Sequence, residues 1–113
     1  MAPRRSLSEY RPVWLFAMFD LPVDTKEARK EYRQFRKELI ARGFMMLQFS
    51  VYARYYANLE ASRAHRGQLE GLLPPDGQVR LLAVTDRQFG QMDVFYGKTR
   101  ESAEDPPQQL LLF

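Results

Sequence analysis

Trp14-Leu15-Phe16-Ala17-Met18-Phe19 is a continuous apolar run that ends at Asp20 and is followed by Leu21-Pro22. Six apolar side chains in a row leave no polar face, so the run reads as a central strand covered on both sides. Leu21-Pro22 ends it. Beyond the proline, Asp24 or Thr25 is placed to cap a helix, and Asp24 with Glu27 has capping-box spacing. The helix is expected from about Thr25 to Arg42. Its apolar residues Ala28, Tyr32, Phe35 and Leu39 recur at spacings of four, three and four, which makes one face for packing on a sheet. Gly43 is the natural stop.

From Phe44 to Tyr56 the chain is rich in Phe, Tyr, Val and Met. Met46, Gln48, Ser50 and Tyr52 alternate with Leu47, Phe49, Val51 and Ala53. That is β periodicity, long enough for a strand pair or one strongly bent strand. Asn58 caps a second expected helix that runs through Leu69 to Leu73, weakened by Gly67 and Gly71. Pro74-Pro75-Asp76-Gly77 is a turn by chemistry, and Val79 to Val84 reads as another buried strand. Thr85 and Gln88 form a capping box for a short helix near Phe89 to Val94, after which Phe95-Tyr96-Gly97 closes the core.

The order β, α, β(β), α, β predicts an α+β, ferredoxin-like βαββαβ fold, an antiparallel sheet with two helices on one face. Residues 1–97 form this domain, with 1–12 as a flexible lead, and 98–113 form a polar, Pro-containing tail. The tail finishes in Leu110-Leu111-Leu112-Phe113, four apolar residues that need covering. A short strand added to a sheet edge, in a sister subunit or a partner, meets that need.

Composition narrows the function classes. A chain of 113 residues supports one core, and 45% hydrophobic with 27% charged residues is ordinary globular composition. The absence of cysteine excludes disulfides, Cys-based zinc sites and a thiolate nucleophile, and predicts a cytoplasmic home. Met1 to Arg11 is polar and basic, and the run Val13 to Phe19 is too short for a signal core or a membrane span, so neither secretion nor insertion is expected. The net charge of +3 favours polyanions without deciding for them. No P-loop, dinucleotide fingerprint, HExxH or GxSxG is present.

Two features carry candidate chemistry. Asp20 sits where an apolar strand opens into a loop, from which a carboxylate projects beyond the sheet. One carboxylate is a poor site for a hard cation, but a two-fold axis that joins Asp20 from two chains makes a shared Mg2+ site. The plain alternative is that Asp20 only caps the turn at Pro22. The second feature is the first helix, where Lys26, Arg29, Lys30, Arg33, Arg36 and Lys37 cluster roughly opposite the apolar face while Glu27, Glu31 and Glu38 share one flank. Such a stripe tracks phosphates with a steep salt dependence, or it is a solvated face held by weak pairs along the helix. Phe49, Tyr52, Tyr55 and Tyr56 offer base stacking on paper, yet strand aromatics belong more often to cores. His65, the lone histidine, has no visible carboxylate partner and reads as structural.

Three segments together resemble the CRISPR-associated protein 2 family. They are Met18-Phe19-Asp20-Leu21-Pro22, the stretch from Gly43-Phe44 to Gln48-Phe49-Ser50-Val51-Tyr52, and Thr85-Asp86-Arg87-Gln88-Phe89 followed by Phe95-Tyr96-Gly97. The Phe-Asp-Leu-Pro version is similar to members from type II systems. The resemblance implies a homodimer of ferredoxin-like subunits between two integrase dimers, holding the duplex of an incoming DNA fragment on its basic surface. It also implies a metal-dependent endonuclease acting on RNA or DNA. In that role Asp20 is the metal-binding and catalytic residue, Ser50 lies near the site, and Mg2+ shared across the dimer activates water. The C-terminal residues Leu110 to Phe113 are then expected to touch the integrase. A small-ligand regulatory domain on the same fold stays open as a third reading.

Overall fold

The computed structural model describes residues 11–106. Its elements in chain order are β1 (Val13–Asp20), α1 (Lys26–Ala41), β2 (Met45–Gln48), β3 (Val51–Tyr56), α2 (Leu59–Glu70), β4 (Gln78–Thr85), α3 (Asp86–Gly90), β5 (Val94–Tyr96) and β6 (Thr99–Glu101). β1 to β4 form one sheet in the order β2-β3-β1-β4, with every neighbouring pair antiparallel. This is the ferredoxin-like α+β arrangement expected from the order of elements.

The apolar run is central, as its lack of a polar face requires. β1 pairs with β3 from Val13↔Tyr56 to Met18↔Val51, and with β4 from Val13↔Thr85 to Asp20↔Gln78. The pleat sends Val13, Leu15, Ala17 and Phe19 to one face and Trp14, Phe16, Met18 and Asp20 to the other. The first set packs under α1 and α2 with Phe35, Leu39, Tyr52, Tyr56 and Leu69 in one cluster. Phe19 anchors it through edge-on contact with Phe35 and a stacked contact with Tyr52.

On the other face Trp14 lies flat on Phe89 of α3, 3.9 Å between centroids, and donates from Nε1 to Asp86 Oδ1 at 2.9 Å. Ala53 and Tyr55 complete this second, smaller cluster. Phe16, Leu47, Val84, Met92 and Ala103 pack against it, partly buried. Farther along, Leu82 is 52% exposed and Phe49 is 86% exposed.

Local signals hold with shifts that have physical causes. Thr25, not Asp24, caps α1, because its hydroxyl accepts from Ala28 N at 3.0 Å and so takes the place of the Asp24–Glu27 box. Asn58 caps α2 through Ala61 N. The Thr85–Gln88 capping box forms in both directions, so α3 runs over Asp86–Gly90 instead of the expected Phe89 to Val94, and Val94 opens β5. Phe44 to Tyr56 resolves into the strand pair β2–β3, joined at Phe49-Ser50.

Two expectations are corrected. The strand Val79 to Val84 is not buried, because β4 is an edge strand whose outward face nothing covers beyond α3. Phe95 and Tyr96 do not close the core either. They are 59% and 67% exposed on the hairpin β5–β6, which carries the chain past Gly97. The expected tail strand Leu110 to Phe113 lies outside the described residues.

Candidate nucleic-acid surface and the Asp20 corner

α1 presents three sectors. Its apolar sector faces the sheet, and its acidic flank, Glu27 and Glu31, turns toward Pro74, Pro75 and Asp76. The remaining sector is basic. Lys30, Arg33, Arg36 and Lys37, with Gln34 and Ile40, line a shallow trough of about 420 Å3. Among the described residues the ion pairs are Glu38–Arg42 and Asp93–Arg100, so none of Lys26, Arg29, Lys30, Arg33, Arg36 or Lys37 is neutralised by a carboxylate. Among the described residues the ion pair along this helix, Glu38–Arg42, involves none of the six.

Two of the six are held by the fold. Arg36 Nε donates to the hydroxyl of buried Tyr52 at 2.6 Å, and Arg29 Nη1 donates to the Val23 carbonyl at 3.1 Å. A guanidinium tethered by one nitrogen keeps its other donors for a phosphate and gives up less rotamer freedom on binding.

Asp20 is the last residue of β1, exposed, with its side chain on the face that α1 and α2 leave uncovered. Its position is set by Gly77, at φ +93, which closes the Pro74–Gly77 turn. A Cβ there would stand 2.7 Å from the Asp20 carbonyl oxygen and 2.8 Å from Leu21 Cδ2. Beside Asp20 the two-residue turn Phe49-Ser50 docks on β1 through Phe19 N donating to Ser50 O at 3.0 Å. Ser50 adopts φ +62, a left-handed conformation uncommon for a residue with a Cβ. Met18, Phe19, Asp20, Phe49, Ser50, Val51, Gln78 and Arg80 line one depression of about 280 Å3.

Ser50 therefore shares the Asp20 corner, but its hydroxyl is turned to the helix side, 3.4 Å from the Tyr32 hydroxyl. Among the described residues no three His, Cys, Asp or Glu side chains gather as metal ligands. One chain alone thus gives a divalent ion a single carboxylate, too few anionic donors for Mg2+. Of the four strand aromatics, Tyr52, Tyr55 and Tyr56 are buried, whereas Phe49 stands in solvent at the rim of this corner.

Arg80 and Gln78 were absent from the sequence-derived candidates. The signal was the alternation Val79-Arg80-Leu81, in which a charge at a period-two position marks a face without a cover. His65 is structural, as expected: its Nδ1 lies 2.7 Å from both Arg54 Nη1 and the Tyr56 hydroxyl. Burial, and then the Arg54 and Arg42 charges, hold its pKa below the ordinary histidine value.

The described residues thus form a ferredoxin-like sheet with one open face, a carboxylate at the end of its central strand and a basic outer helix. Residues 13–92 match the family model described as CRISPR associated protein Cas2. A "CRISPR-associated endoribonuclease Cas2" of Parvibaculum lavamentivorans is 46% identical over 101 residues, covering 89% of this chain and 100% of the relative. Proteins of the same name are 42% identical in Flavobacterium psychrophilum, covering 95% of this chain and 93% of that one, and 40% identical in Streptococcus mutans, covering 86% and 91%. The chain belongs to the Cas2 family. No helix among the described residues is long and apolar enough to cross a membrane.

Proposed function

We propose that this chain is a homodimeric, nucleic-acid-binding adaptor of CRISPR spacer acquisition, which bridges integrase dimers and holds the duplex of the incoming DNA fragment. The observation that carries the reading is the uncompensated basic trough of α1, with Arg36 tethered on Tyr52. Cations without carboxylate partners on a rigid helix bind a phosphodiester backbone without reading its sequence. The homodimer is supported by the open sheet face, where Leu82 and Phe49 are exposed, and by exposed Phe95 and Tyr96 on the hairpin β5–β6. Leu110 to Phe113 remain the proposed integrase contact.

Salt titration of duplex binding tests this. The log of affinity falls linearly with the log of salt, by about 0.9 per phosphate neutralised. Replacing Arg29, Arg33, Arg36 and Lys37 by Gln flattens that slope and weakens binding for every duplex sequence alike. A slope that is flat in the wild type, or unchanged in the variant, defeats the reading.

A second reading is a Mg2+-dependent endonuclease acting on RNA or DNA with Asp20 from both subunits. What favours it is the placement of Asp20 on the open face and the name endoribonuclease that the relatives carry. Asp20→Asn separates the two. Spacer acquisition that survives this substitution supports the adaptor, and acquisition lost together with metal-dependent cleavage supports the enzyme.

A further inference from the structure

We infer that Arg80 is the resident cation of the Asp20 corner: in a homodimer built on the open sheet face, Arg80 of each copy neutralises Asp20 of the other, so the interface assembles without a divalent ion. The inference rests on the homodimer reading and adds what holds its charged part together.

Placement comes first. Asp20 pairs across the ladder with Gln78 and Met18 with Arg80, so the pleat brings all four side chains to the same face of the sheet. They line one depression, together with Phe49 and Val51. Yet Asp20 and Arg80 of one chain form no ion pair. Arg80 Nε donates to Gln78 Oε1 at 3.2 Å, which props the guanidinium up from β4. Its two terminal nitrogens make no hydrogen bond among the described residues, so their donors are available to another chain.

Symmetry supplies the second step. At a two-fold interface the same patch meets itself, residue i touching j while j touches i. A patch with an acid as its only charge would set two carboxylates face to face, which needs a cation between them. A patch with one acid and one base complements itself, and the four charges sum to zero. Exposed Leu82 and Phe49 and half-buried Met18 surround these charges, so closure removes water from them. Removing one member of such a desolvated pair leaves the other unpaired, the costly case at an interface.

The dimer dissociation constant of the full chain, measured by sedimentation equilibrium in EDTA and in Mg2+, tests this. The wild type is expected to be dimeric in EDTA, with a constant that Mg2+ changes less than about threefold. Arg80→Gln, which keeps the side-chain length and a polar end, is expected to weaken the dimer at least about tenfold in EDTA, with part of the loss recovered by Mg2+. Adding Asp20→Asn to Arg80→Gln restores most of the affinity, because the unpaired carboxylates are gone. Circular dichroism and the melting temperature confirm that each variant is folded. A wild type that falls to monomer in EDTA and reassembles with Mg2+, or an Arg80→Gln dimer as tight as wild type, overturns the inference and leaves the homodimer standing. A chain that is monomeric in every condition overturns the homodimer reading and the inference with it.

Discussion

The two faces of the sheet are built to different degrees of completion. Beneath α1 and α2 the side chains of Leu15, Ala17, Leu39 and Phe35 are at most 2% exposed, and Phe35 meets Phe19 edge-on. On the opposite face the region around Trp14 is covered by Phe89, Met92 and Ala103, whereas Asp20, Arg80, Leu82 and Phe49 are exposed. Folding one chain thus needs the first face and half of the second. The other half of the second face is surface kept for association, and the charges it carries, Asp20 and Arg80, are those proposed to mate with a second copy.

Truncation on either side of the sheet breaks this contrast most sharply. Leu15→Ala is expected to cost about 2–5 kcal/mol of unfolding free energy in urea titration, since the tightly packed site has little room to collapse. Leu82→Ala, on the open face, is expected to cost less than about 1 kcal/mol when measured at concentrations where the chain is monomeric. Equal losses would mean that the open face is part of the folding core.

Next in size is Gly77→Ala. It places a Cβ against the Asp20 carbonyl and Leu21 at a backbone angle that side chains rarely adopt, for an expected loss of about 1–3 kcal/mol in the same titration. It should also weaken association, because it moves Asp20.

The smallest effect is the pH response of the sealed side. His65 is held below its ordinary pKa by burial and by Arg54 and Arg42, so between its folded value and about 6.5 the unfolded chain binds more protons than the folded one. Stability therefore rises with pH across that window. It is complete above about pH 6.5, is lost as the pH falls, and reaches its floor below the folded value. Melting temperatures of His65→Gln should lack this slope, and an unchanged slope would place the titrating group elsewhere.

Much of this was readable from residues in order. The uninterrupted apolar run announced a central strand, because a strand with no polar face has nowhere else to go. Thr85 with Gln88 and Asn58 announced helix starts through hydrogen bonds that span only three residues. The basic sector of α1 was legible from helical spacing alone. The burial of β4 was misjudged because apolar composition says how a strand wants to sit, whereas the number of elements that cover it is decided by the rest of the chain. Phe95 and Tyr96 misled for the same reason: their aromatic character suggested a core, and the hairpin β5–β6 carries them into solvent.

By itself the sequence determined the elements from β1 to α3, though not the hairpin β5–β6, together with their order and the residues that carry charge, since these follow from periodicity, capping and composition within a few residues of each position. Only the tertiary structure decided which charges stand alone and which share a corner. Asp20 and Arg80 are 60 positions apart, and they meet on one face because β4 returns beside β1 in one particular register. A one-residue slip of that register would turn Arg80 toward the helices and leave Asp20 without its neighbour, so the chemistry of the corner belongs to the pairing of strands and to no local pattern.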